Sequence, residues 1–209
     1  MSDRGAFIVF EGGEGSGKST IAAMVAARLE EADVRVVLTR EPGGTVTGEK
    51  VRRILHERLL PWGEVFAFLL ARAQLVDEVV GPALGSGATV ICDRYEASTF
   101  AYQGYGRGLP LEALRDANRQ ATGGLSPDLT VLLDIEPVLG MRRKRGETEI
   151  VATGKEALAF HERVRSGYLE QLAGAAPGTW LRLDATLALG SVFSQAHAAV
   201  TALKDRRHG

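Results

Sequence analysis

The sequence predicts an α/β fold: a five-stranded parallel sheet between two layers of helices. Short apolar runs bounded by turn residues recur at 6–10, 34–39, 88–92, 128–133 and 179–183. Stretches with helical spacing fill the rest, at 18–31, 47–58, 64–80, 110–122, 136–145, 155–173 and 188–204. Such alternation gives a parallel sheet, because each strand must return through a helical crossover. A third observation orients the sheet: glycines or charged residues follow the strands, where parallel sheets bind ligands.

The elements follow in order. Ala6-Phe7-Ile8-Val9-Phe10 is an uninterrupted apolar run, as a strand buried on both faces requires. The segment 12–20, GGEGSGKST, matches GxxxxGKS, the phosphate-binding loop, and behind it Ile21, Met24, Val25 and Leu29 share one helical face. The second strand (VRVVLT) leads into Arg40-Glu41-Pro42-Gly43-Gly44-Thr45, the third (ATVIC) into Asp93-Arg94-Tyr95, and the fourth (DLTVLL) into Asp134. The last (TWLRL) leads into Asp184-Ala185-Thr186. Two stretches interrupt the pattern. AYQGYGRGL at 101–109 is rich in glycine and tyrosine, and the basic cluster Arg142-Arg143-Lys144-Arg145-Gly146 opens a segment without clean periodicity that runs to about Lys155. We expect the region 142–155 to form a lid on a single domain spanning 1–209.

Composition narrows the function. With 209 residues the chain can bury one sizeable core, and 45% hydrophobic and 24% charged residues are ordinary for a soluble globular protein. A formal charge of -1 lacks the basic excess of a dedicated nucleic-acid binder. No stretch reaches the roughly 18 apolar residues of a membrane span, and no signal-like N-terminal segment is seen. The single cysteine, Cys92, lies beside Val90 and Ile91 and reads as a buried strand thiol. A cytoplasmic protein is expected.

The loop dictates its own chemistry. Backbone N–H groups can wrap a triphosphate only where glycines permit close approach and positive φ, and the helix N-terminus that follows favours anions. Gly12, Gly13, Gly15 and Gly17 meet that need, with Glu14, Ser16 and Thr20 completing the loop; Lys18 would reach the β and γ phosphates and the Ser19 hydroxyl a Mg²⁺ ion. Phe68 and Arg72 are four apart and project from one helical face. Phenylalanine alone there would more often be core, but an arginine beside it suits a planar base with a carbonyl.

Taken together, the loop, REPGGT, FLLAR at 68–72, DRYEASTFAYQGYGRGL at 93–109 and FHERVRSGYLE at 160–170 resemble the bacterial thymidylate kinases. The resemblance implies a P-loop nucleotide-kinase fold, transfer of the γ-phosphoryl group of ATP to dTMP, Mg²⁺ as cofactor, and a homodimer. It further implies an acceptor site formed by Glu14, Glu41, Pro42, Arg52, Phe68, Arg72, Arg94, Thr99, Tyr102 and Gln103. Asp93 would act on the metal through water, and Lys18 and Arg94 would serve transfer. The sequence departs from the family in two places. The loop position where one branch carries a catalytic arginine is Gly15, and the usual lid run Asp-Arg-x-Glu is absent; Arg145, followed by Gly146-Glu147, best matches the lid arginine. The apolar positions Val65, Leu69, Val76 and Val80 could supply either a dimer face or core. A deoxynucleoside kinase, another monophosphate kinase and a nucleotide switch share the loop. The absence of an NKxD motif argues against a GTPase.

Overall fold

The computed structural model describes residues 4–145 and 147–208, with side chains described except at 145, 147–155 and 205–208. Five parallel strands lie in the order β2-β3-β1-β4-β5: β1 (Phe7–Gly12), β2 (Val36–Arg40), β3 (Thr89–Asp93), β4 (Leu129–Asp134) and β5 (Trp180–Asp184). The central position of β1 explains its composition. Every residue of that strand is buried, and successive side chains serve opposite faces.

On one face Ile8 and Phe10 pack with Ile21, Val25 and Leu29 of α1 (Lys18–Glu30) and with Val192, Ala196 and Val200 of α9 (Leu189–His208). On the other, Phe7 and Val9 meet Leu75 at the end of α3 (Pro61–Leu75), Val80 in the π-helical turn Val76–Val80, and Leu84 of α4 (Gly81–Gly85). Phe7 also meets the Tyr95 ring edge-on at 5.1 Å. Replacing a buried phenylalanine such as Phe10 by alanine removes contacts on a strand that has no solvent face, at a cost of roughly 3–5 kcal/mol. Val65, Leu69 and Val80 are 0%, 7% and 0% exposed, so these positions are core.

The strands begin and end a residue or two later than the apolar runs suggest, since pairing carries each strand into its first polar residue. Two larger differences concern helices. Most of the stretch 101–109, expected to interrupt the pattern, is helical: α5 (Glu96–Thr99) runs into a π-helical segment Phe100–Gly106. Its glycines serve contact rather than turning, for a Cβ on Gly106 would lie 2.7 Å from the Phe160 ring. After α6 (Leu111–Thr122), α7 (Pro137–Arg145) is followed by α8 (Glu147–Ala173), which is helical from 147 rather than from 155. The expected lid thus falls on the end of α7 and the start of α8, and the side chains of Arg145 and Lys155 lie outside the described residues.

Candidate active site

Parallel pairing brings strand ends together: Phe10 and Arg40 both register with Asp93, and the loop leaves β1 beside them. The loop turns through positive φ at Gly12, Gly15 and Gly17, and Gly17 caps α1 in the left-handed region. Gly15 has a further reason to be glycine. A Cβ there would overlap the carbonyl of Gly140 on α7, and a Cβ on Gly140 would overlap that of Glu14. Two glycines thus seat α7 against the loop, and no arginine fits at 15 in this arrangement.

Lys18 folds over the loop with Nζ 3.4 Å from the Gly13 carbonyl. Burial, helped by the Arg94 charge and opposed by Asp93 and Glu11, pushes its pKa down to about 8. The Ser19 hydroxyl donates to Asp93 Oδ2, while Asp93 Oδ1 is buried without a hydrogen-bond partner. This pair of oxygens fits a hydrated Mg²⁺. Among the described residues no three His, Cys, Asp or Glu side chains converge to hold a cation. That donor set suits an ion carried mainly by phosphate and water.

In front of the loop lies a cleft of about 380 Å³. Glu14, Glu41, Pro42, Arg52, Phe68, Arg72, Arg94, Thr99, Tyr102 and Gln103 all line it, with Lys18, Ser19 and Asp93 at its inner end. The sequence reading named all of these for the site, although they come from separate elements. It did not single out Arg40, Glu64, Tyr95, Ser98 and Lys144, which also line the cleft.

The cleft has a buried ionic floor. Arg72 is 1% exposed; its Nε and Nη2 donate to Glu41 Oε2 at 2.8 and 2.6 Å, Nη2 to Thr99 Oγ1 at 3.1 Å, and Nη1 to Asn118 Oδ1 at 2.8 Å. Burial disfavours the Arg72 charge, and Glu41 outweighs it, leaving the guanidinium pKa raised. Burial also raises Glu41 against the pull of Arg72. Because the guanidinium does not shed its proton, the two stand as an ion pair. Glu41 and Thr99 therefore hold Arg72, which in turn stands over the Tyr95 ring at 5.1 Å. Arg52 donates from Nε to the Pro42 carbonyl at 2.8 Å, fixing the acceptor-side loop to α2 (Val46–Ile54).

Arg94 occupies the left-handed region at φ 73, its N–H bonded to the Phe10 carbonyl at 3.0 Å. Backbone strain of this kind persists only where surroundings enforce it. Nη1 donates to Ser98 Oγ at 2.8 Å and to the Tyr168 hydroxyl at 3.2 Å, Nη2 reaches the Tyr102 hydroxyl at 3.3 Å, and the guanidinium covers the Tyr102 ring at 5.1 Å. Behind it sits Glu11, fully buried. Glu11 Oε1 accepts from the N–H groups of Tyr95 and Ser98, and Oε2 from the hydroxyls of Ser98 and Tyr168. Burial opposes the charge on Arg94, but Tyr102, Tyr168 and Glu11 outweigh it and hold its pKa above the ordinary value.

The other charged strand ends are structural. Asp134 accepts from Arg165 at 2.7 and 3.0 Å and from Arg182 at 3.1 and 2.6 Å, which lowers its pKa against its burial. From the basic cluster, Arg143 donates to the Ala185 carbonyl at 2.7 Å, tying α7 to the loop after β5. Lys144 lies 3.4 Å from Glu14 Oε1, at the cleft.

A sequence model described as Thymidylate kinase matches residues 10–196. The chain is 47% identical over 203 residues to a thymidylate kinase of Deinococcus radiodurans, covering 95% of this chain and 97% of the relative. It is 47% identical over 203 residues to one from Thermomicrobium roseum, covering 96% of each, and 44% identical over 204 residues to one from Trichlorobacter lovleyi, covering 93% and 96%. A phosphate loop facing a cleft floored by Arg72 and walled by Arg94, with this similarity along nearly the whole chain, places the protein in the thymidylate kinase family.

Proposed function

We infer that the protein transfers the γ-phosphoryl group of ATP to dTMP, giving ADP and dTDP. The observation that supports this most is the single cleft joining Lys18 and Ser19 to Phe68, Arg72 and Arg94, which offers a phosphate grip at one end and an aromatic face with a guanidinium at the other. An oxygen of the dTMP phosphate forms the new O–P bond to the γ phosphorus, and the bond from γ phosphorus to the β–γ bridging oxygen breaks. The nucleophile is already anionic near neutral pH, so the protein's work is to position the reactants and offset charge.

Residues 12–20 wrap the ATP phosphates, and Lys18 offsets charge on the β and γ groups. Arg94, with Tyr102, Ser98 and Tyr168 fixing its fork, grips the acceptor phosphate bidentately. Phe68 stacks on thymine and Arg72 donates to a ring carbonyl. Ser19 and Asp93 would hold a hydrated Mg²⁺, which would supply positive charge against the phosphates. The lid at about 142–155 supplies Arg145 to the transferring group and excludes water. We take residues 1–209 as one kinase domain.

We also propose a cytoplasmic homodimer. Cys92 is a free, buried thiol, which suits a reducing compartment. Phe66 and Leu70, one turn apart on α3, are 61% and 53% exposed, and the Trp62 ring lies 5.7 Å from that of Phe66. This apolar stripe suits a second copy of the chain. An ADP-release assay across nucleoside monophosphates tests the activity, with thymidine as a control. Equal turnover of thymidine and dTMP would instead indicate a nucleoside kinase.

A further inference from the structure

The side-chain amide of Gln103 has two unlike ends, and Glu64 decides which one the cleft meets. A carboxylate can only accept hydrogen bonds, so it must face the NH₂ end. Accordingly Gln103 Nε2 donates to Glu64 Oε2 at 3.1 Å. Arg107 then fastens Glu64 from the other side, donating from Nε to Oε2 at 2.6 Å and from Nη2 to Oε1 at 3.0 Å. Arg107 itself lies against the Phe160 ring of α8, at 5.8 Å. With its NH₂ end so committed, Gln103 turns its Oε1 away from Glu64.

Glu64, Gln103, Phe68 and Arg72 line the same cleft, and Gln103 is 4% exposed. Arg72 carries five N–H bonds. Four are engaged: two with Glu41, one with Thr99 and one with Asn118. The remaining one is on Nη1. The base region therefore presents an acceptor in Gln103 Oε1 and a donor in Arg72 Nη1–H. A pyrimidine edge with an N–H at ring position 3 and a carbonyl at position 4 matches both. Cytosine, with a bare nitrogen at 3 and an amine at 4, matches neither. A flipped Gln103 would instead offer its NH₂ to the cytosine nitrogen.

We propose that Glu64 is a specificity-determining residue that excludes cytosine monophosphates by locking the Gln103 amide with its oxygen toward the base. This rests on the acceptor site proposed above. Glu64→Gln removes the lock, since a neutral amide can give or accept and Gln103 becomes free to present either end. Arg107→Met keeps the carboxylate and therefore the polarity.

The test measures kcat/KM for dTMP, dUMP and dCMP in the wild type and both variants. Glu64→Gln should lower the dTMP-to-dCMP ratio by about tenfold or more, the scale of one mismatched buried hydrogen bond. The dTMP-to-dUMP ratio should stay within about twofold, because both bases share the same edge. Arg107→Met should keep the dTMP-to-dCMP ratio within about threefold. Glu64→Met, which removes the acceptor without adding a donor, carries the expectation of Glu64→Gln should that variant fail to fold. An unchanged dTMP-to-dCMP ratio in Glu64→Gln, or an equal fall in Arg107→Met, overturns the proposal. A wild type that takes dCMP as readily as dTMP overturns the acceptor assignment itself, a result distinct from a selective wild type with an equally selective variant.

Discussion

The Tyr168 hydroxyl donates to Glu11 Oε2 at 2.9 Å, joining α8 to the central strand at the residue before the loop begins. The same hydroxyl accepts from Arg94 at 3.2 Å. A helix that starts in the lid region thus ends on the guanidinium proposed to grip the acceptor phosphate. Tyr168→Phe keeps the ring in its apolar cluster and removes the hydroxyl's contacts with Glu11, Arg94 and Ser98. We expect the KM for dTMP to rise about three- to tenfold, as for one or two net hydrogen bonds, with the KM for ATP unchanged. Steady-state kinetics with each substrate varied would decide it; equal changes for both would mean that Tyr168 only supports the fold.

Lys18 titrates near 8 in the free enzyme because burial and Arg94 disfavour its charge. Bound phosphates favour the charged form, so its pKa rises on binding and ATP uptake at pH 8 draws in a proton. Affinity for ATP should therefore weaken as pH increases from below 8 toward the bound-state pKa. Calorimetry at that pH in buffers of different ionisation enthalpy reads the proton directly, and Lys18→Ala should remove the uptake and nearly all turnover while leaving the fold intact. Heats independent of buffer would show that Lys18 is already charged.

Much of this site was legible because its chemistry depends on residue types at fixed spacing. Glycines 12, 15 and 17, Lys18 and the Asp93-Arg94 pair could hardly be replaced by anything with the same shape and charge. What was hidden depends on tertiary contact. Glu11 stands at the end of an apolar strand, where nothing local marks it as the acceptor of four hydrogen bonds. Tyr168 reads as a core aromatic. Gly140 has no local role, and only its approach to the Glu14 carbonyl explains it. The helix at 96–106 was obscured by Gly104 and Gly106, whose missing side chains make room for Leu111 and Phe160.

Glu41 was expected at the acceptor, and it reaches the cleft mainly as the partner of Arg72. Removing one member of a buried ion pair leaves the other charge uncompensated, at about 3–5 kcal/mol. Glu41→Ala should lose stability on that scale in urea unfolding. A loss below about 1 kcal/mol would mean that water or Asn118 satisfies Arg72 unaided.

Phe68 is half-buried on the cleft wall, with Arg72 one turn further along α3. Stacking touches the base alone, so Phe68→Ala should weaken dTMP binding while leaving ATP affinity as it was. Calorimetric titration of each nucleotide separates the outcomes; equal losses would identify Phe68 as a packing residue.

Transfer calls for a positive charge that meets the transferring phosphoryl group. Gly15 offers none, and the close approach of Gly140 leaves no room for an arginine there. Arg143 is engaged with the Ala185 carbonyl and Lys144 lines the cleft, while Arg145, followed by Gly146-Glu147, is the position that resembles the family's lid arginine. An arginine that contacts the group mainly in the transition state contributes ~10³ to 10⁵ in turnover, or roughly 4–7 kcal/mol of barrier. Arg145→Ala should therefore cut kcat steeply and change the KM for dTMP little. Arg143→Ala, which frees α7 from the loop after β5, should act on ATP binding or stability instead. Single-turnover kinetics can establish that chemistry limits the rate. If Arg145→Ala then retains more than about a tenth of kcat, the role passes to Lys144 or Lys155, and Lys144→Ala, whose ammonium lies beside Glu14, is the variant to measure next.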